Sequence, residues 1–200
     1  MYRRNLQKSP GLAEKSERPL LVKIKRMSQQ NKRVVILIDN SYQEMEVWYP
    51  YFRLQEYGAS VEFAGAIAGH VYESKLGYPA KTRFSYDQLA VPDFDAVIVP
   101  GGVAPDRIRR YPKANLFVKE MNEAGKLVAA ICHGPSVLCS AQGLLQGRRV
   151  TSFISIKDDV VNAGAEWEDA EVVVDRNLVT SRNPEDLPAF SRAFLAALAG

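Results

Sequence analysis

The sequence predicts an α/β fold in which helices cover both faces of a doubly wound, mostly parallel β-sheet. Runs of β-branched and aliphatic residues recur along the chain, as in strands that are buried on both faces. Segments with helical spacing of apolar residues alternate with these runs. With 200 residues, 46% of them hydrophobic, the chain can bury one substantial core, and its length favours a single domain.

The chain begins with a strand, a helix and a second strand. Residues 33–38 form a continuous β-branched and aliphatic run, the pattern of a central strand. Residues 44–57 show near-helical spacing of apolar side chains, and Gly58 supplies a helix terminator. Residues 60–64 predict the second strand. The alternation in residues 69–83, punctuated by Gly and Pro, predicts a small β-hairpin excursion.

The alternation of strands and helices continues in the middle of the chain. Residues 96–99 predict a buried strand that runs into a Gly-rich turn. Residues 113–124 predict a helix ended by Gly125, and residues 127–131 predict a third central strand. Small and apolar residues at 134–141 then predict a helix packed on the sheet.

The last segment predicts two strands and a closing helix. The strands fall at 172–174 and 178–180, and residues 187–198 have the apolar face of a helix. This alternation is typical of the flavodoxin-like plan, with right-handed crossovers. Sites in such sheets form at the carboxyl ends of the strands, so we expect the loops after the three central strands to meet in one crevice.

Charge is distributed unevenly along the chain. Residues 1–33 hold ten Lys/Arg and two Glu, a net charge of +8, whereas the whole chain carries +3. The remainder holds 16 Lys/Arg and 21 Asp/Glu, a net charge of −5, which argues against nucleic-acid binding by the folded part of the chain. We therefore predict a disordered basic N-terminal extension at residues 1–32 and a single folded domain at residues 33–200.

Three origins of the basic extension stay open: an organelle-targeting peptide, a basic arm for anionic partners, or sequence upstream of a start at Met27. Its apolar run at residues 19–22 is too short for a secretory signal. No stretch approaches the roughly 20 apolar residues of a membrane span. We therefore expect a soluble protein. Two cysteines only seven residues apart cannot form a disulfide framework, which favours a reducing, cytoplasmic compartment.

Cys132 stands directly after a predicted buried strand and before a predicted helix. On such a sharp turn the sulfur projects outward, and the amides at the helix N-terminus are expected to lower the thiol pKa. A buried structural cysteine is the common alternative, but the adjacent His133 and Gly134 favour a nucleophile. Cys139 lies farther into the helix among apolar residues, so we assign it to the core.

Several neighbours of Cys132 are candidates for supporting chemistry. His133 is a candidate general base or imidazolium partner, and the amides of Gly102 and His133 would make an oxyanion hole. One of Glu44 and Glu46 is a candidate for a carboxyl whose raised pKa keeps it protonated. His70 lies in the predicted hairpin without neighbouring candidate catalytic residues and is assigned to the surface. Phosphate-loop, dinucleotide and zinc-ligand patterns are absent from the sequence, so we expect no cofactor and no metal.

Several segments together carry a family resemblance. They are AICHGP at 130–135, PGG at 100–102, APDR at 104–107, TS at 151–152, IKDD at 156–159, NAGAEW at 162–167, VVVD at 172–175 and LVTSR at 178–182. The chain resembles, over residues 33–198, the PfpI family of the ThiJ/PfpI superfamily, whose relatives are class I glutamine amidotransferases. The resemblance implies a flavodoxin-like sandwich and a homodimer or a higher homo-oligomer built from dimers.

The resemblance also implies roles for individual residues. Cys132 matches the family's nucleophile, His133 matches its neighbour, and Glu46 matches the acid that hydrogen-bonds the thiol. Asp106 matches an acid that reaches the histidine from the adjoining subunit, which implies a site near an interface.

This sequence departs from the family's pattern at three positions. Gln43 replaces a usual Glu, Phe153 stands where peptidase-like members often carry Tyr, and Leu76 stands where many have His. These replacements make the site less polar and remove one possible substrate hydrogen bond.

The leading hypothesis for function is attack of Cys132 on a reactive 2-oxoaldehyde, as in the family's glyoxalases and deglycases, with Glu46 and His133 moving protons. A small carbonyl substrate needs no extended groove. An intracellular cysteine peptidase would use Cys132, His133 and Asp106 as a triad on a peptide. A redox-sensing stress protein or chaperone would instead use oxidation of Cys132 as a signal.

Overall fold

The computed structural model describes residues 31–200. The predicted basic extension lies outside the described residues, apart from residues 31 and 32. One cluster of buried apolar side chains runs from Val34 to Leu198. The domain boundary at residue 33 stays a prediction.

Eleven strands and six α-helices are present in residues 31–200. The strands are β1 (Arg33–Leu37), β2 (Ser60–Gly65), β3 (Val71–Glu73), β4 (Pro79–Lys81), β5 (Phe84–Ser85), β6 (Ala96–Val99), β7 (Leu127–Ile131), β8 (Arg149–Val150), β9 (Glu166–Trp167), β10 (Val172–Asp175) and β11 (Leu178–Ser181). The helices are α1 (Glu44–Tyr57), α2 (Ala104–Ile108), α3 (Pro112–Glu123), α4 (Pro135–Ser140), α5 (Lys157–Asn162) and α6 (Leu187–Ala199).

Seven strands form the central sheet, in the order β10-β11-β7-β6-β1-β2-β5. Every neighbouring pair in it is parallel except β10 and β11. The inner strands β6 and β7 are buried along their whole length, which explains their unbroken apolar sequences. Helices α1 and α6 pack together, as do α3 and α4, and the doubly wound α/β fold is confirmed.

Several short elements were not predicted. The antiparallel pair β3 and β4 confirms the hairpin excursion, but β5 and the parallel pair β8–β9 contain only two residues per strand. Two residues are too few for a periodic pattern. None of the helices within residues 31–200 is long and apolar enough to cross a membrane.

Candidate active site

The backbone at Cys132 forms a sharp elbow between β7 and α4. Cys132 has a φ of 61°, in the left-handed region that L-residues rarely adopt. Its amide donates to the carbonyl of Ser181, and its carbonyl accepts from the amide of Phe153. A Cβ on Gly134 would lie only 2.2 Å from the carbonyl oxygen of Val99, so the turn requires glycine there. The sulfur-bearing residue is 7% exposed at this edge of the sheet.

The two glycines after β6 allow a second loop to approach the elbow closely. A Cβ on Gly101 would lie 2.6 Å from Glu46 Oε2 and 2.7 Å from the Cys132 Cβ. Gly102 has a φ of 81°, and a Cβ there would lie 2.5 Å from the carbonyl oxygen of Ser41. Both positions therefore require glycine, and the loops after β1, β6 and β7 meet as the sequence predicts.

The Cys132 sulfur lies among four polar groups. The backbone amides of Gly102 and His133 face it and act to lower the pKa of the thiol. The His133 Nδ1 lies 3.2 Å from Sγ. The carboxyl of Glu46 also interacts with the thiol. Two amide donors, an imidazole and a carboxyl at one sulfur suit nucleophilic attack on a carbonyl group.

Glu46 is fully buried at the start of α1. Its Oε2 accepts a hydrogen bond of 2.6 Å from the amide of Gly101. Its Oε1 has no hydrogen-bond partner among residues 31–200. Burial raises the pKa of this carboxyl to about 8, so it is mainly protonated at neutral pH. Glu46 can therefore donate a proton first and accept one afterwards.

Burial raises the pKa of the Cys132 thiol to about 12, with repulsion by the nearby Glu46 carboxyl as the second cause. The expectation that the helix N-terminus would lower this pKa is wrong. Helix α4 starts only at Pro135 and has six residues, and its first free amide, that of Ser136, donates to the carbonyl of His133 instead of the sulfur. Because the protonated thiol is favoured over the thiolate at neutral pH, an adjacent base is needed to remove its proton.

The imidazole of His133 is the base in contact with that thiol. Its pKa is lowered by burial and, to a smaller extent, by the positive charge of Lys75, so the ring is neutral at neutral pH. The ring stacks on Phe153 with centroids 4.8 Å apart and an angle of 27° between the planes. Its second nitrogen, Nε2, lies 3.1 Å from the Ser155 hydroxyl.

The structure separates the two acids that the sequence left as alternatives. Glu44 accepts hydrogen bonds from Ser74 Oγ and from the amide of Leu76, in the loop between β3 and β4. These bonds, against the opposing effect of burial, lower the pKa of Glu44. Glu44 therefore anchors the hairpin, whereas Glu46 reaches the thiol. Gln43, one of the departures from the family pattern, caps α1 by accepting from the amide of Met45.

A cavity of about 560 Å³ opens above the sulfur. This volume suits a small molecule or one modified side chain. Asp106 is exposed on α2 and lines the cavity, but within residues 31–200 no hydrogen bond joins it to His133. Lys75 and Arg109 also line it and supply positive charge at its walls. In the same part of the chain, no group of three or more His, Cys, Asp or Glu residues could hold a metal ion.

The sequence profile of the DJ-1/PfpI family matches residues 32–197 of this chain. The chain belongs to the DJ-1/PfpI family. This confirms the resemblance to the PfpI family that was inferred from the segments between residues 100 and 182.

Three relatives illustrate the similarity. A deglycase from Pyrococcus horikoshii is 46% identical over 166 residues, which are 83% of this chain and 99% of that protein. A putative cysteine protease from Bacillus subtilis is 39% identical over 168 residues, 84% of this chain and 99% of that protein. The crystal structure of a two-domain Anabaena variabilis protein, with DJ-1/ThiJ/PfpI-like and ferritin-like domains, has a TM-score of 0.82 and 42% identity, covering 84% of this chain and 48% of that one.

Within this DJ-1/PfpI framework, the structure places Cys132, His133, Glu46 and Gly102 together, and their catalytic roles stay predictions. The interaction of Ser155 with His133 was missed, because it depends on how a later turn folds back over the elbow. Two other residues fall away from the site. Cys139 is half-buried, and burial raises its pKa to about 11. His70 is exposed and packs edge-on against Tyr72.

Proposed function

We propose that this protein is a cysteine-dependent, cofactor-independent enzyme that acts on reactive 2-oxoaldehydes, free or as early adducts on proteins. The observation that carries the proposal is the Cys132 sulfur, which lies between the His133 Nδ1 and the protonated Glu46 carboxyl and faces two backbone amides. The similarity to a protein named a deglycase, over nearly its whole length, supports the same substrate class.

The first step is addition of the thiol to the aldehyde. The thiol proton passes to His133 Nδ1 while Sγ bonds to the aldehyde carbon. The carbonyl electron pair moves onto oxygen, where the amides of Gly102 and His133 stabilise the negative charge. Glu46 then protonates this oxygen. The product is a hemithioacetal, with Glu46 left as a carboxylate and His133 as an imidazolium.

The second step is an internal redox reaction. The Glu46 carboxylate removes the hydrogen of the former aldehyde carbon as a proton, and the electron pair moves toward the neighbouring ketone, whose oxygen His133 protonates. Returning the proton from Glu46 to the ketone carbon, as His133 removes the hydroxyl proton at C1, gives a thioester of the 2-hydroxy acid. One carbon is oxidised as the other is reduced, so no external oxidant is needed. In the last step the Glu46 carboxylate takes a proton from water as the water oxygen adds to the thioester carbon. The leaving thiolate takes the proton of the His133 imidazolium, which restores the thiol, the Glu46 carboxyl and the neutral imidazole.

The proposal is tested by incubating wild-type protein and Cys132→Ala with methylglyoxal, without glutathione or added metal. We expect wild-type protein to produce lactate, measured enzymatically, and Cys132→Ala to produce none, because no other described thiol lies at the cavity. A peptide pretreated with methylglyoxal serves as the second substrate. Absence of lactate from wild-type protein with both substrates would contradict the proposal, as would equal production by the variant.

A cysteine peptidase is the second candidate, and the Cys132–His133 contact together with the named cysteine protease relative supports it. A triad would also require an acid at the far side of His133, where the Ser155 hydroxyl lies within one subunit, so the acid would have to be Asp106 of an adjoining subunit. Hydrolysis of unmodified casein by wild-type protein but not by Cys132→Ala would favour this candidate over the first. In the redox-sensor alternative oxidation of Cys132 is the signal, and lactate production that is lost in Cys132→Ala would argue against it.

We further propose that two copies associate through an apolar groove formed by α1, the β3–β4 loop and the start of α6. The groove has a volume of about 740 Å³, and among its exposed side chains Phe52 is 56% and Leu76 is 89% accessible. Pro184 lines both this groove and the cavity above Cys132, so a second copy would lie close to the site. Asp106 lies outside this groove, so its approach to the His133 of an adjoining subunit stays a prediction from the family resemblance. We retain a cytoplasmic location as a proposal, based on the use of free cysteines.

Replacing Phe52 by Glu is expected to dissociate this dimer, because the interface would have to bury a carboxylate without a partner. Loss of a central aromatic anchor should raise the dissociation constant at least about 30-fold. Sedimentation velocity measures the change. Leu116→Glu, on an exposed position of α3 outside the groove, is the matched control and should leave the dimer intact. Equal sedimentation of Phe52→Glu and wild-type protein would exclude this interface.

A further inference from the structure

The only hydrogen-bond partner of His133 Nε2 among the described residues is the Ser155 hydroxyl, at 3.1 Å. The other ring nitrogen, Nδ1, faces the Cys132 sulfur at 3.2 Å. A neutral imidazole carries one hydrogen, so one of its nitrogens donates and the other accepts. A hydroxyl at Nε2 and a thiol at Nδ1 therefore form a chain of three groups in which the tautomer of His133 determines whether the thiol proton can be accepted.

The turn that carries Ser155 is fixed relative to the elbow. The amide of Phe153 donates to the carbonyl of Cys132 itself, and the amide of Ile156 donates to the carbonyl of Phe153. The side chain of Ile156 is buried in the hydrophobic core, which anchors the turn. The Phe153 ring stacks on the imidazole and restricts its tilt. Ser155 thus reaches His133 from a segment whose backbone is tied to the nucleophile.

We propose that Ser155 is a positioning residue, whose hydroxyl accepts the Nε2 hydrogen of His133 and so leaves Nδ1 unprotonated toward the Cys132 thiol. The inference rests on the proposed function, because it assigns His133 as the base for Cys132. It adds a residue that acts through His133 and touches no substrate.

The tautomer can be measured without any substrate. The chain contains only two histidines, His70 and His133, so a long-range ¹⁵N–¹H spectrum of histidine-labelled full-length protein contains two imidazoles. Replacing His70 by Gln assigns them. In wild-type protein at pH 7.5 we expect His133 to carry its hydrogen on Nε2, with Nδ1 in the range of an acceptor nitrogen. In Ser155→Ala we expect the Nδ1 and Nε2 shifts to move toward each other, as the two tautomers mix.

Activity provides the second readout. Ser155→Ala should lower kcat for methylglyoxal about 3- to 10-fold with KM changed less than twofold, since the hydroxyl does not contact the substrate. The acidic limb of the pH profile should also move to lower pH. Without the Ser155 hydroxyl, the His133 imidazolium loses a hydrogen-bond acceptor, which lowers the pKa of His133. Ser155→Thr keeps a hydroxyl and should restore both properties. Ile154→Ala, in the same turn but outside the cavity, is the control for general disturbance of the turn and should behave as wild type.

The outcomes separate the two proposals. A wild-type His133 with its hydrogen on Nδ1, or an unchanged tautomer in Ser155→Ala, would overturn the role of Ser155 whether or not the protein turns over methylglyoxal. A shift caused by Asp106→Asn but not by Ser155→Ala would assign the positioning of His133 to the acid instead. Absence of turnover in wild-type protein, with the expected tautomer change in Ser155→Ala, would leave the positioning intact and contradict only the proposed function.

Discussion

Replacing Glu46 by Gln is expected to lower kcat for methylglyoxal by about 10²- to 10⁴-fold, the usual contribution of a general acid–base group. Gln has the same shape, and its side-chain oxygen can still accept from the amide of Gly101, so the fold should be retained. What it cannot do is donate and then recover the proton that hemithioacetal formation and its rearrangement require. Steady-state kinetics with lactate detection measures the loss.

The matched control is Glu44→Gln, which makes the same chemical change two residues earlier on α1. Glu44 contacts the β3–β4 loop and has no contact with Cys132, so kcat should fall less than about tenfold. If Glu46→Gln retained more than a third of the wild-type kcat, the carboxyl would have no proton-transfer role.

The same substitution has a distinct effect on stability. Glu46 has a folded pKa of about 8 against an ordinary value of 4.5, so the folded state binds more protons between these values. The stabilisation is fully present below pH 4.5 and is lost as the pH rises through 8. Wild-type protein should therefore lose stability relative to Glu46→Gln with a slope approaching about 1.4 kcal/mol per pH unit inside this window.

Urea unfolding of both proteins at pH 5.5, 6.5 and 7.5 measures this slope. Comparing the two proteins cancels the other titrations, including that of His133, whose lowered pKa acts with the opposite sign. The thiol of Cys132 titrates above this window, because both its ordinary value of 9.0 and its raised value of about 12 exceed pH 7.5. A difference between wild type and variant that does not change with pH would show that Glu46 is ionised in the folded protein throughout.

The parts of the fold that the sequence predicted are those with strong local patterns. Strands β6 and β7 were predicted at their observed bounds because each is a continuous apolar run between polar or glycine residues. Helix α1 was predicted at its observed bounds because Gly58 ends it in a left-handed conformation. Helix α2 was missed although Pro105 lies in its first turn, since five residues give too little helical periodicity.

The site shows a similar division between local and non-local information. The elbow at Cys132 follows from strand, turn and helix signals within a few residues. The thiol pKa does not, because it depends on burial and on Glu46, which comes from a helix 86 positions away in the sequence. From the sequence, the only expected effect of Phe153 was the loss of the hydroxyl that a Tyr would supply, but its ring stacks on the imidazole of His133. The contact of Ser155 is equally non-local, since it depends on the turn after β8.

Replacing Gly134 by Ala is expected to destabilise the protein by about 3 kcal/mol or more, at the upper end of the overpacking range. Gly134 has a φ of −50° and a ψ of −40°, ordinary helical values, so the backbone itself would tolerate alanine. At such a position alanine normally stabilises by about 0.5–1 kcal/mol. Here the added Cβ would lie 2.2 Å from the carbonyl oxygen of Val99 and 2.8 Å from that of Ile131. Chemical denaturation of both proteins measures the change.

Gly143→Ala separates this clash from conformational strain. Gly143 has a φ of 80°, but nothing lies within 4 Å of an added Cβ there, so its cost should be only about 1–2 kcal/mol, from the left-handed backbone. The substitution at Gly134 thus tests a steric clash without backbone strain, and the one at Gly143 tests backbone strain without a steric clash.

Because the strands β6 and β7 cannot separate without breaking their hydrogen-bond ladder, relief of the Gly134 clash must move the elbow and with it the Cys132 sulfur. Folded Gly134→Ala protein should therefore also lose turnover of methylglyoxal, whereas Gly143→Ala should keep it. A Gly134→Ala protein as stable and as active as wild type would contradict the close packing of the elbow.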